Sequence, residues 1–358
     1  MPRVHRPPSG FRMPAEWEPH HATWIAWPHN REDWPGKFTP IAWVYAEIVR
    51  HLHRGERVCI LVQDDCLRGR ARSLLERAGV DLDQIDFFPF PTDRVWSRDF
   101  GPVFIKREEA GRSELAITNW KFNGWAKYSN WRRDNAIPAR IARALKLKQW
   151  EPHWEVEKTP YRVVLEGGSI DVNGKGTLMT TEECLLSPIQ ARNPKLSRKD
   201  MEGVFAEYLG IRKVLWLQNG IAGDDTHGHV DDLARFVNPT TVVVAQETHT
   251  DDGNYQPLRR NLELLKSMTD QDGKPLEIVP LPMPRPLWFQ GQRLPASYAN
   301  FYIGNSAVLV PTFNDPHDRE ALSVLARLFP DREVIGIHSV DLVWGLGTLH
   351  CLSQQQPR

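Results

Sequence analysis

The pattern of hydrophobic and polar positions predicts an α/β chain in which short apolar strands outnumber helices. Helical periodicity, with apolar residues three or four positions apart, covers residues 40–54, 66–78, 135–145, 197–209, 255–268 and 315–329. Strand-like runs cover residues 23–27, 58–62, 85–89, 102–106, 115–120, 163–165, 176–180, 214–217, 233–237, 241–246, 277–280, 300–303, 307–311 and 333–337. Because each helix is followed by a strand, the pattern indicates repeated units of a strand pair and a helix, roughly 60 residues each.

Composition and charge are those of an ordinary folded domain with no net positive charge to attract polyanions. The chain has 358 residues, of which 41% are hydrophobic, and this is enough for a sizeable core. Lysine plus arginine and aspartate plus glutamate number 45 each, so the net charge is zero. No global field therefore attracts nucleic acid or an anionic membrane. Selectivity for a cation must come from local carboxylates.

No linker-like composition divides the chain. We therefore expect one closed domain over residues 13–358, preceded by a basic, proline-rich lead-in over residues 1–12 that is flexible. The lead-in has no apolar segment of the kind that a secretory signal requires, and no apolar run is long enough to span a membrane. A cytoplasmic protein is the default expectation. The sequence leaves the oligomeric state open, with a homodimer as one option.

Four widely separated cysteines argue against a disulfide scaffold and against a CxxC-type structural zinc site. Cys59 and Cys184 lie in apolar runs, which predicts core positions for both. Cys351 instead lies among glycines, a histidine and glutamines close to the C-terminus. Because glycine lets a ligand approach the backbone and a thiol can act as a nucleophile, Cys351 is either a catalytic nucleophile or a half-buried core cysteine.

Three further polar clusters lie in turn-rich segments beside strands, where functional loops are common. Asp99 lies in the segment 96–102, beside aromatic residues. Glu166 precedes two glycines at the end of an apolar run, and it needs a partner if it is buried. The third cluster, residues 220–232, contains four acids and two histidines. Each cluster could also be an ordinary turn whose polar groups bind solvent or backbone.

Together these residue types suggest chemistry on a guanidinium group. A carboxylate can meet the planar, forked guanidinium with two hydrogen bonds at once. A thiol with a histidine and at least two carboxylates is therefore a set of groups suited to hydrolysis at a guanidinium carbon. In chain order the candidates are Asp99, Glu166, His229, Asp231 and Cys351.

Two other functions are compatible with the same residues. If the loop after Thr226 is extended, His227, His229 and Asp231 share one face, as in a binuclear metallohydrolase site. The Thr-His-Gly-His-Val-Asp-Asp run is one residue away from the metal-binding run of metallo-β-lactamase-type hydrolases, because Asp232 replaces the last histidine. A protein that binds arginine-like ligands without turnover is the third interpretation.

Five segments together resemble one family. They are Met-Pro-Ala-Glu-Trp-Glu-Pro-His at 13–20, Trp-Ser-Arg-Asp-Phe-Gly-Pro at 96–102, Glu-Gly-Gly-Ser at 166–169, Gly-Asp-Asp-Thr-His-Gly-His-Val-Asp at 223–231 and His-Cys-Leu-Ser-Gln-Gln at 350–355. From about residue 11 to its end, the chain resembles the agmatine deiminases of the Porphyromonas-type peptidylarginine deiminase family, within the guanidine-modifying superfamily. The combination of motifs is highly specific.

The resemblance implies a fold and a site. The fold would be a five-bladed α/β propeller, the pentein fold, built from ββαβ-type units in a single closed domain. The site would take a small cationic guanidine substrate, agmatine, with no metal and no cofactor. The implied roles are Cys351 as nucleophile, His229 as general acid and base, Asp99 and Asp231 as guanidinium clamps, and Glu166 as the residue that orients His229 or contacts the guanidinium.

The resemblance also bears on the far end of the substrate. The second amine of agmatine would meet Asp224 and Asp225, in a channel walled by tryptophan, with Trp96 and Trp125 as candidates. The stretch Trp344–Leu349 departs from the Gly-Gly-Gly-Asn run typical of the family. The substrate therefore stays open between agmatine, another guanidine and peptidyl-arginine.

Overall fold

The computed structural model describes residues 6–109 and 111–358, and these residues form eight α-helices and twenty strands. The helices are α1 (Phe38–Leu52), α2 (Asp65–Arg77), α3 (Ser97–Phe100), α4 (Ile137–Leu145), α5 (Glu182–Leu186), α6 (Arg198–Leu209), α7 (Tyr255–Ser267) and α8 (Asp318–Leu328). The strands are β1 (His20–Ala26), β2 (Arg57–Leu61), β3 (Ile85–Phe88), β4 (Val103–Glu109), β5 (Arg112–Thr118), β6 (Lys148–Trp150), β7 (His153–Val156), β8 (Thr159–Arg162), β9 (Asp171–Val172), β10 (Thr177–Thr181), β11 (Lys213–Leu217), β12 (Ala234–Phe236), β13 (Thr241–Gln246), β14 (Glu277–Pro282), β15 (Trp288–Phe289), β16 (Gln292–Arg293), β17 (Tyr302–Ile303), β18 (Ala307–Thr312), β19 (Glu333–His338) and β20 (Ser353–Pro357). None of the described helices is long and apolar enough to cross a membrane.

One topology recurs in five sheets of the described chain. An antiparallel strand pair is followed by one or two helices and then by a third strand, which lies parallel to the second strand of the pair. The sheets are β20-β1-β2-β3, β4-β5-β6, β9-β10-β11, β12-β13-β14 and β17-β18-β19. This is the strand-pair-plus-helix unit that the sequence periodicity predicts. The fold is a single-domain α/β structure.

The first sheet joins the two ends of the chain. Strand β20 pairs antiparallel with β1, with Gln354 opposite Trp24 and Ser353 opposite Ile25. The glutamines of β20 are buried, and the Trp24 indole N–H donates to Gln356 Oε1 at 2.9 Å. Sequence analysis predicts no strand here, because a run of serine and glutamine lacks apolar alternation. Tertiary hydrogen bonds supply the partners that make this polar strand tolerable in the interior.

Helix α6 shows how local sequence determines where a helix begins, where it ends and which side chains it buries. Ser197 caps its first turn in a reciprocal capping box with Asp200. Gly210, with a φ of 69°, ends it in the left-handed conformation that glycine adopts at little cost. Between these signals, Met201 and Phe205 are buried in the core. Each such side chain stabilises the fold by up to about 2 kcal/mol relative to an exposed position.

The N-terminal segment is more firmly attached than its composition suggests. Phe11 is buried, and its ring packs against Trp150 with 5.3 Å between centroids. Arg12 and Lys106 exchange backbone hydrogen bonds of 2.9 and 2.8 Å. The end of the segment 1–12, predicted as a flexible lead-in, is therefore part of the folded body. Residues 1–5 of that prediction lie outside the described residues.

The pairing of β20 with β1 predicts that the end of the chain is required for folding. Removal of residues 353–358 would leave β1 with β2 as its neighbour on one edge but unpaired on the other, and it would expose buried residues. We expect loss of soluble protein, or a Tm lower by about 10 °C or more in thermal denaturation. Removal of Arg358 alone is the matched control and should lower Tm by only a few degrees. An unchanged Tm after the longer deletion would contradict this role of β20.

Candidate active site

One cavity collects most of the polar clusters that the sequence singles out. Its volume is about 750 Å³. The predicted site residues in its wall are Trp96, Asp99, Trp125, Asp225 and Cys351. The other predicted residues that lie against this wall, fully buried, are Glu166, His229 and Asp231. Segments far apart in the sequence therefore meet at one place.

Cys351 lies in the turn that precedes β20. Its Sγ is 3.1 Å from Asn300 Nδ2 and 3.7 Å from Asp231 Oδ2. Burial raises the pKa of the thiol well above its ordinary value, and the carboxylates of Asp231, Asp232 and Asp99 raise it further. Without a bound cation the thiol is therefore protonated at neutral pH. A cation placed between these acids would offset their charge and favour the thiolate.

His229 caps the short 3-10 helix Val230–Asp232 and does not lie in an extended strand. Its Nδ1 is 3.7 Å from Asp99 Oδ1, and its Nε2 is 3.8 Å from Glu166 Oε2. Burial lowers the pKa of the imidazole, but Asp99, Cys184 and Glu166 outweigh burial and raise the pKa well above its ordinary value. The ring is therefore an imidazolium near neutral pH, the form that can donate a proton to a leaving amine.

The extended conformation considered for the histidine pair does not occur. His227 has a φ of 63°, and its ring turns towards Glu183, at 3.8 Å, and Ser187, at 3.2 Å. His227 and His229 therefore do not share a face, and the structure does not assemble the binuclear site proposed for this run. Within the described residues, the potential metal ligands that lie within 4.8 Å of one another are Glu166, Cys184 and His229.

Asp99 is held rigidly on the short helix α3. Its Oδ2 accepts a hydrogen bond from Trp125 Nε1 at 2.9 Å, and its Oδ1 accepts one from the Gly168 N–H at 3.1 Å. Burial raises the pKa of Asp99 to about 6, an effect that His229 reduces and Asp231 increases. The carboxylate is thus ionised at neutral pH, but its charge is poorly compensated until a cation arrives.

Asp231 is tied to a buried ionic network that includes residues from both ends of the chain. His350 joins the Asp231 carboxylate, 2.6 Å from Nδ1, to the Glu16 carboxylate, 2.8 Å from Nε2. Glu16 is also paired with Arg98 at 2.9 Å and Arg235 at 3.0 Å. Burial raises the pKa of Asp231, but the His350 hydrogen bond outweighs burial and lowers the pKa below its ordinary value. Asp231 is therefore ionised and fixed in place.

The sequence predicts a strand over residues 163–165, directly before Glu166. The structure has a single β-bridge there, between Lys121 and Val164. Glu166 Oε1 pairs with Arg192 Nε at 3.1 Å in the interior. Burial raises the pKa of Glu166, but Arg192 and the nearby His229 lower it more, so the carboxylate is ionised. The second oxygen, Oε2, lies 3.8 Å from His229 Nε2. A movement of less than 1 Å would bring these two atoms within hydrogen-bond distance, and Glu166 would then orient the ring.

Several buried polar atoms around this point lack a hydrogen-bond partner among the described residues. They are Glu166 Oε2, Asp231 Oδ1 and both ring nitrogens of His229. An ideal Cβ built on Gly168 would lie 2.6 Å from His229 Nδ1, 2.7 Å from Asp99 Oδ1 and 3.0 Å from Asp231 Oδ2. Unpaired buried polar groups are costly, so the free carboxylate oxygens of Glu166 and Asp231 are suited to a ligand that supplies donors. A guanidinium offers N–H donors in a plane with a positive charge.

The two acids expected at the far end of the substrate are placed differently from each other. Asp224 is not among the cavity-lining residues of the described chain. Its carboxylate accepts hydrogen bonds from the backbone N–H of His229, at 3.1 Å, and of the residue before it, at 2.7 Å. Asp224 therefore shapes the loop that carries His229. Asp225 does line the cavity, bonded to Lys127 and to the Tyr128 hydroxyl, the latter at 2.7 Å.

Residue types and spacing alone did not reveal several groups that hold the candidate catalytic side chains. They are Glu16, Arg192, Arg235, Asn300 and His350. Each meets a partner in another segment: His350, for example, joins residues 119 and 334 positions away. Periodicity and local spacing carry no information on such pairs. The available signal was that Glu16 and His350 lie inside the segments that carry the family resemblance.

Comparisons with known proteins agree with this geometry. The chain matches the Porphyromonas-type peptidyl-arginine deiminase family over residues 12–357. An agmatine deiminase of Medicago truncatula is 36% identical over 382 aligned residues, which cover 97% of this chain and 96% of the relative. One of Pseudomonas aeruginosa, strain LESB58, is 34% identical, with the same coverage of 97% and 96%. The solved structure of the Enterococcus faecalis agmatine deiminase superposes with a TM-score of 0.87 at 30% identity, covering 98% of this chain and 96% of that one.

The matches extend over the whole α/β domain. The protein is therefore an enzyme, a hydrolase that acts on carbon–nitrogen bonds. It belongs to the Porphyromonas-type peptidyl-arginine deiminase family.

The space around Gly168 gives a sharp test of the site. Gly168→Ala would push a methyl group against His229, Asp99 and Asp231, so we expect kcat/KM to fall at least about a hundredfold. Gly69→Ala is the matched control: Gly69 lies in α2 with nothing within 4 Å of an ideal Cβ, and activity should be unchanged. Wild-type activity in Gly168→Ala, with an unaltered circular dichroism spectrum, would show that these three groups do not act together.

Proposed function

We propose that the enzyme hydrolyses the guanidinium group of agmatine to N-carbamoylputrescine and ammonia. The observation that carries the proposal is the convergence of a thiol, Cys351, an imidazolium, His229, and two carboxylates, Asp99 and Asp231, around unpaired buried polar atoms beside a cavity. The full-length similarity to proteins named agmatine deiminase supports the same substrate.

Binding prepares the nucleophile. Asp99 and Asp231 hold the guanidinium, and its carbon is placed against Cys351 Sγ, which lies 3.7 Å from the Asp231 carboxylate. The positive charge of the substrate offsets the carboxylates that raise the pKa of the thiol. When the substrate is bound, the Cys351 proton is lost more easily to solvent through the cavity that Cys351 lines, so activation is substrate-assisted.

The first half-reaction exchanges a carbon–nitrogen bond for a carbon–sulfur bond. The Cys351 thiolate adds to the guanidinium carbon, and a neutral tetrahedral adduct forms. The His229 imidazolium gives its proton to one amino group, which leaves as ammonia. The product is a positively charged thiouronium on Cys351, still held by Asp99 and Asp231, and a neutral His229.

The second half-reaction is hydrolysis of that intermediate. Neutral His229 takes a proton from a water molecule as the water oxygen adds to the thiouronium carbon. Collapse of the adduct breaks the carbon–sulfur bond, returns Cys351 as a thiolate and releases the urea-type product, whose hydroxyl proton is lost to solvent. Glu166, anchored by Arg192, keeps the ring of His229 oriented for both proton transfers.

The far ammonium of agmatine would reach the outer part of the cavity. Asp225 is available there if the ammonium displaces Lys127 from it. Trp96 and Trp125 wall the same space, and their faces suit a cation or its flexible carbon chain. Another guanidine or peptidyl-arginine is the alternative substrate, and a longer peptide would require the cavity to accept a backbone.

The architecture that accompanies this function is a closed five-bladed propeller. Three observations support it: the same ββαβ topology occurs in five sheets, strand β20 from the end of the chain completes the first sheet, and the Enterococcus faecalis structure superposes over 98% of this chain. In such a ring the loops of all units could reach a common centre.

Cys351→Ala tests the function directly. We expect ammonia release from agmatine to disappear, because the covalent intermediate cannot form, while Tm stays within a few degrees of the parent. Cys59→Ala, at a buried cysteine of β2, is the matched control and should lower Tm more than activity. Free arginine and an arginyl peptide assayed in parallel identify the substrate. A preference for the peptide would contradict agmatine but not the cysteine mechanism.

The two histidines of the loop should differ in their effect on turnover. His229→Gln removes the proton donor, so we expect kcat to fall by about three orders of magnitude or more. His227→Asn should cost less than about tenfold, because the His227 ring faces Glu183 and Ser187. Steady-state kinetics on both variants give the two values of kcat. A larger loss of kcat in His227→Asn than in His229→Gln would contradict the role of His229 and favour the metallohydrolase interpretation.

The acid limb of the pH profile should report Asp99. Its carboxylate must be ionised to hold the cation, and burial raises its pKa to about 6 in the free enzyme. We therefore expect kcat/KM to rise with pH through about 6, and the corresponding limb of kcat to lie lower, because bound cation favours the ionised form. The residual activity of Asp99→Asn should no longer show this rise of kcat/KM with pH. A limb that persists in this variant would belong to another group.

A further inference from the structure

Cys184 is a buried thiol that lies next to His229 and takes no part in the proposed turnover. It belongs to the short helix α5 and is fully buried. One ligand atom each of Cys184, His229 and Glu166 lie within 4.8 Å of one another. A thiolate, an imidazole and a carboxylate are all common ligands of zinc. The three side chains therefore bring the donors of a zinc site together beside the candidate acid/base.

The gap between two of these ligands suits an ion better than a direct hydrogen bond. Glu166 Oε2 and His229 Nε2 are 3.8 Å apart, and neither atom has a hydrogen-bond partner among the described residues. Two atoms that bind one tetrahedral zinc ion, each at about 2.1 Å, lie roughly 3.4 Å from one another. A small approach of the two side chains would therefore let both atoms bind the same ion.

The other polar atoms of the two side chains are arranged as they are around bound metals. Glu166 Oε1 is held by Arg192 Nε at 3.1 Å, which leaves Oε2 free for a ligand. His229 Nδ1 is 3.7 Å from the Asp99 carboxylate. A histidine that binds a metal through one nitrogen commonly donates the N–H of its other nitrogen to a carboxylate. Asp99 also lines the cavity, so an ion that enters the cavity can approach the ring.

A threonine hydroxyl ties together the two segments that carry Cys184 and His229. Thr181 Oγ1 accepts a hydrogen bond from the Cys184 N–H at 3.1 Å and donates one to the Gly228 carbonyl oxygen at 2.5 Å. Gly228 is the residue directly before His229. The thiol and the imidazole are therefore held near each other by the backbone before any ion binds.

We propose that Glu166, Cys184 and His229 form an inhibitory site for zinc. The ion binds Cys184 Sγ, His229 Nε2 and Glu166 Oε2, with water in the fourth position, and the displaced thiol and imidazolium protons go to solvent. Bound zinc occupies a nitrogen of the His229 ring, so the ring no longer transfers protons and turnover stops. Mg²⁺ and Ca²⁺ do not bind here, because they prefer oxygen ligands. The inhibition rests on the proposed function, whereas the binding of zinc does not.

Binding is measured first without turnover. The probes are Co²⁺ alone and Zn²⁺ alone, added to the full chain carrying Cys351→Ala and Cys66→Ser, which lacks the nucleophile and the exposed thiol. A thiolate ligand gives Co²⁺ a charge-transfer absorption band, and Zn²⁺ should remove the band by displacing cobalt. We expect saturation at about one ion per chain.

Removal of single ligands from this background identifies the site. Cys184→Ser should abolish the thiolate band and weaken Zn²⁺ binding about a hundredfold or more, because loss of a residue outside the ligand shell already costs about tenfold to a hundredfold. His229→Gln should weaken Zn²⁺ binding to a similar extent, and it keeps the test decisive if Cys184→Ser does not fold. Cys59→Ser, at a buried cysteine of β2, is the matched control and should leave Zn²⁺ affinity unchanged.

Inhibition is measured in protein that retains Cys351. Zn²⁺ should inhibit ammonia release from agmatine, EDTA should restore it, and Mg²⁺ should have no effect. In Cys184→Ser, the Zn²⁺ concentration that halves the variant's own uninhibited rate should rise at least about tenfold. In Cys59→Ser this concentration should equal that of the parent.

The possible outcomes separate the zinc site from the proposed function. A Zn²⁺ affinity that falls less than about threefold in folded Cys184→Ser or in folded His229→Gln would overturn the site. Zn²⁺ binding that requires Cys351 but not Cys184 would place the ion on the nucleophile and overturn it too. If the parent releases no ammonia from any guanidine while Zn²⁺ binding still depends on Cys184, the proposed function fails and the zinc site stands.

Discussion

The pairing of β20 with β1 is the constraint on which the candidate active site depends. Without it the last residues would be a free end, and Cys351, two positions before β20, would have no fixed place. With it, a terminal segment becomes an interior strand, and the thiol is brought against loops from the middle of the chain. Gln355 and Gln356 of β20 can occupy the interior because their side-chain oxygens accept hydrogen bonds there from Arg98 and Trp24.

The second governing feature is a group of buried acids that are paired with cations to different degrees. Glu16 and Glu166 are each neutralised by arginine, so both are ionised and act as fixed anchors. Within the part of the chain that the structure describes, Asp99 is paired with no cation other than the imidazole of His229, and burial raises its pKa. Burying unpaired charge is costly, and that cost is removed when a cation binds. This charge arrangement is the one that the proposed binding of a planar cation requires.

The repeating strand-pair-plus-helix unit could be predicted from the sequence, but the pairing of the two ends of the chain could not. Amphipathic periodicity located the main helices to within a few residues, because burial on one face of a helix leaves a repeat in the sequence. The end signals of α6, Ser197 and Gly210, are also local. In contrast, β20 and the bridge at Val164 depend on partners in other segments. The family resemblance, not periodicity, pointed to a ring of five units.

The sequence by itself determined the chemical groups of this enzyme: a thiol among glycines, a histidine two residues before an aspartate, and a glutamate before two glycines. It also determined their family, because those motifs are short and continuous. Only the tertiary structure decided which groups meet. It turned His227 away through a left-handed backbone, used Asp224 to shape a loop, and placed Asn300 against the sulfur of Cys351. The physical reason is that residue identity is local, whereas hydrogen bonds and burial between distant segments exist only once the chain has folded.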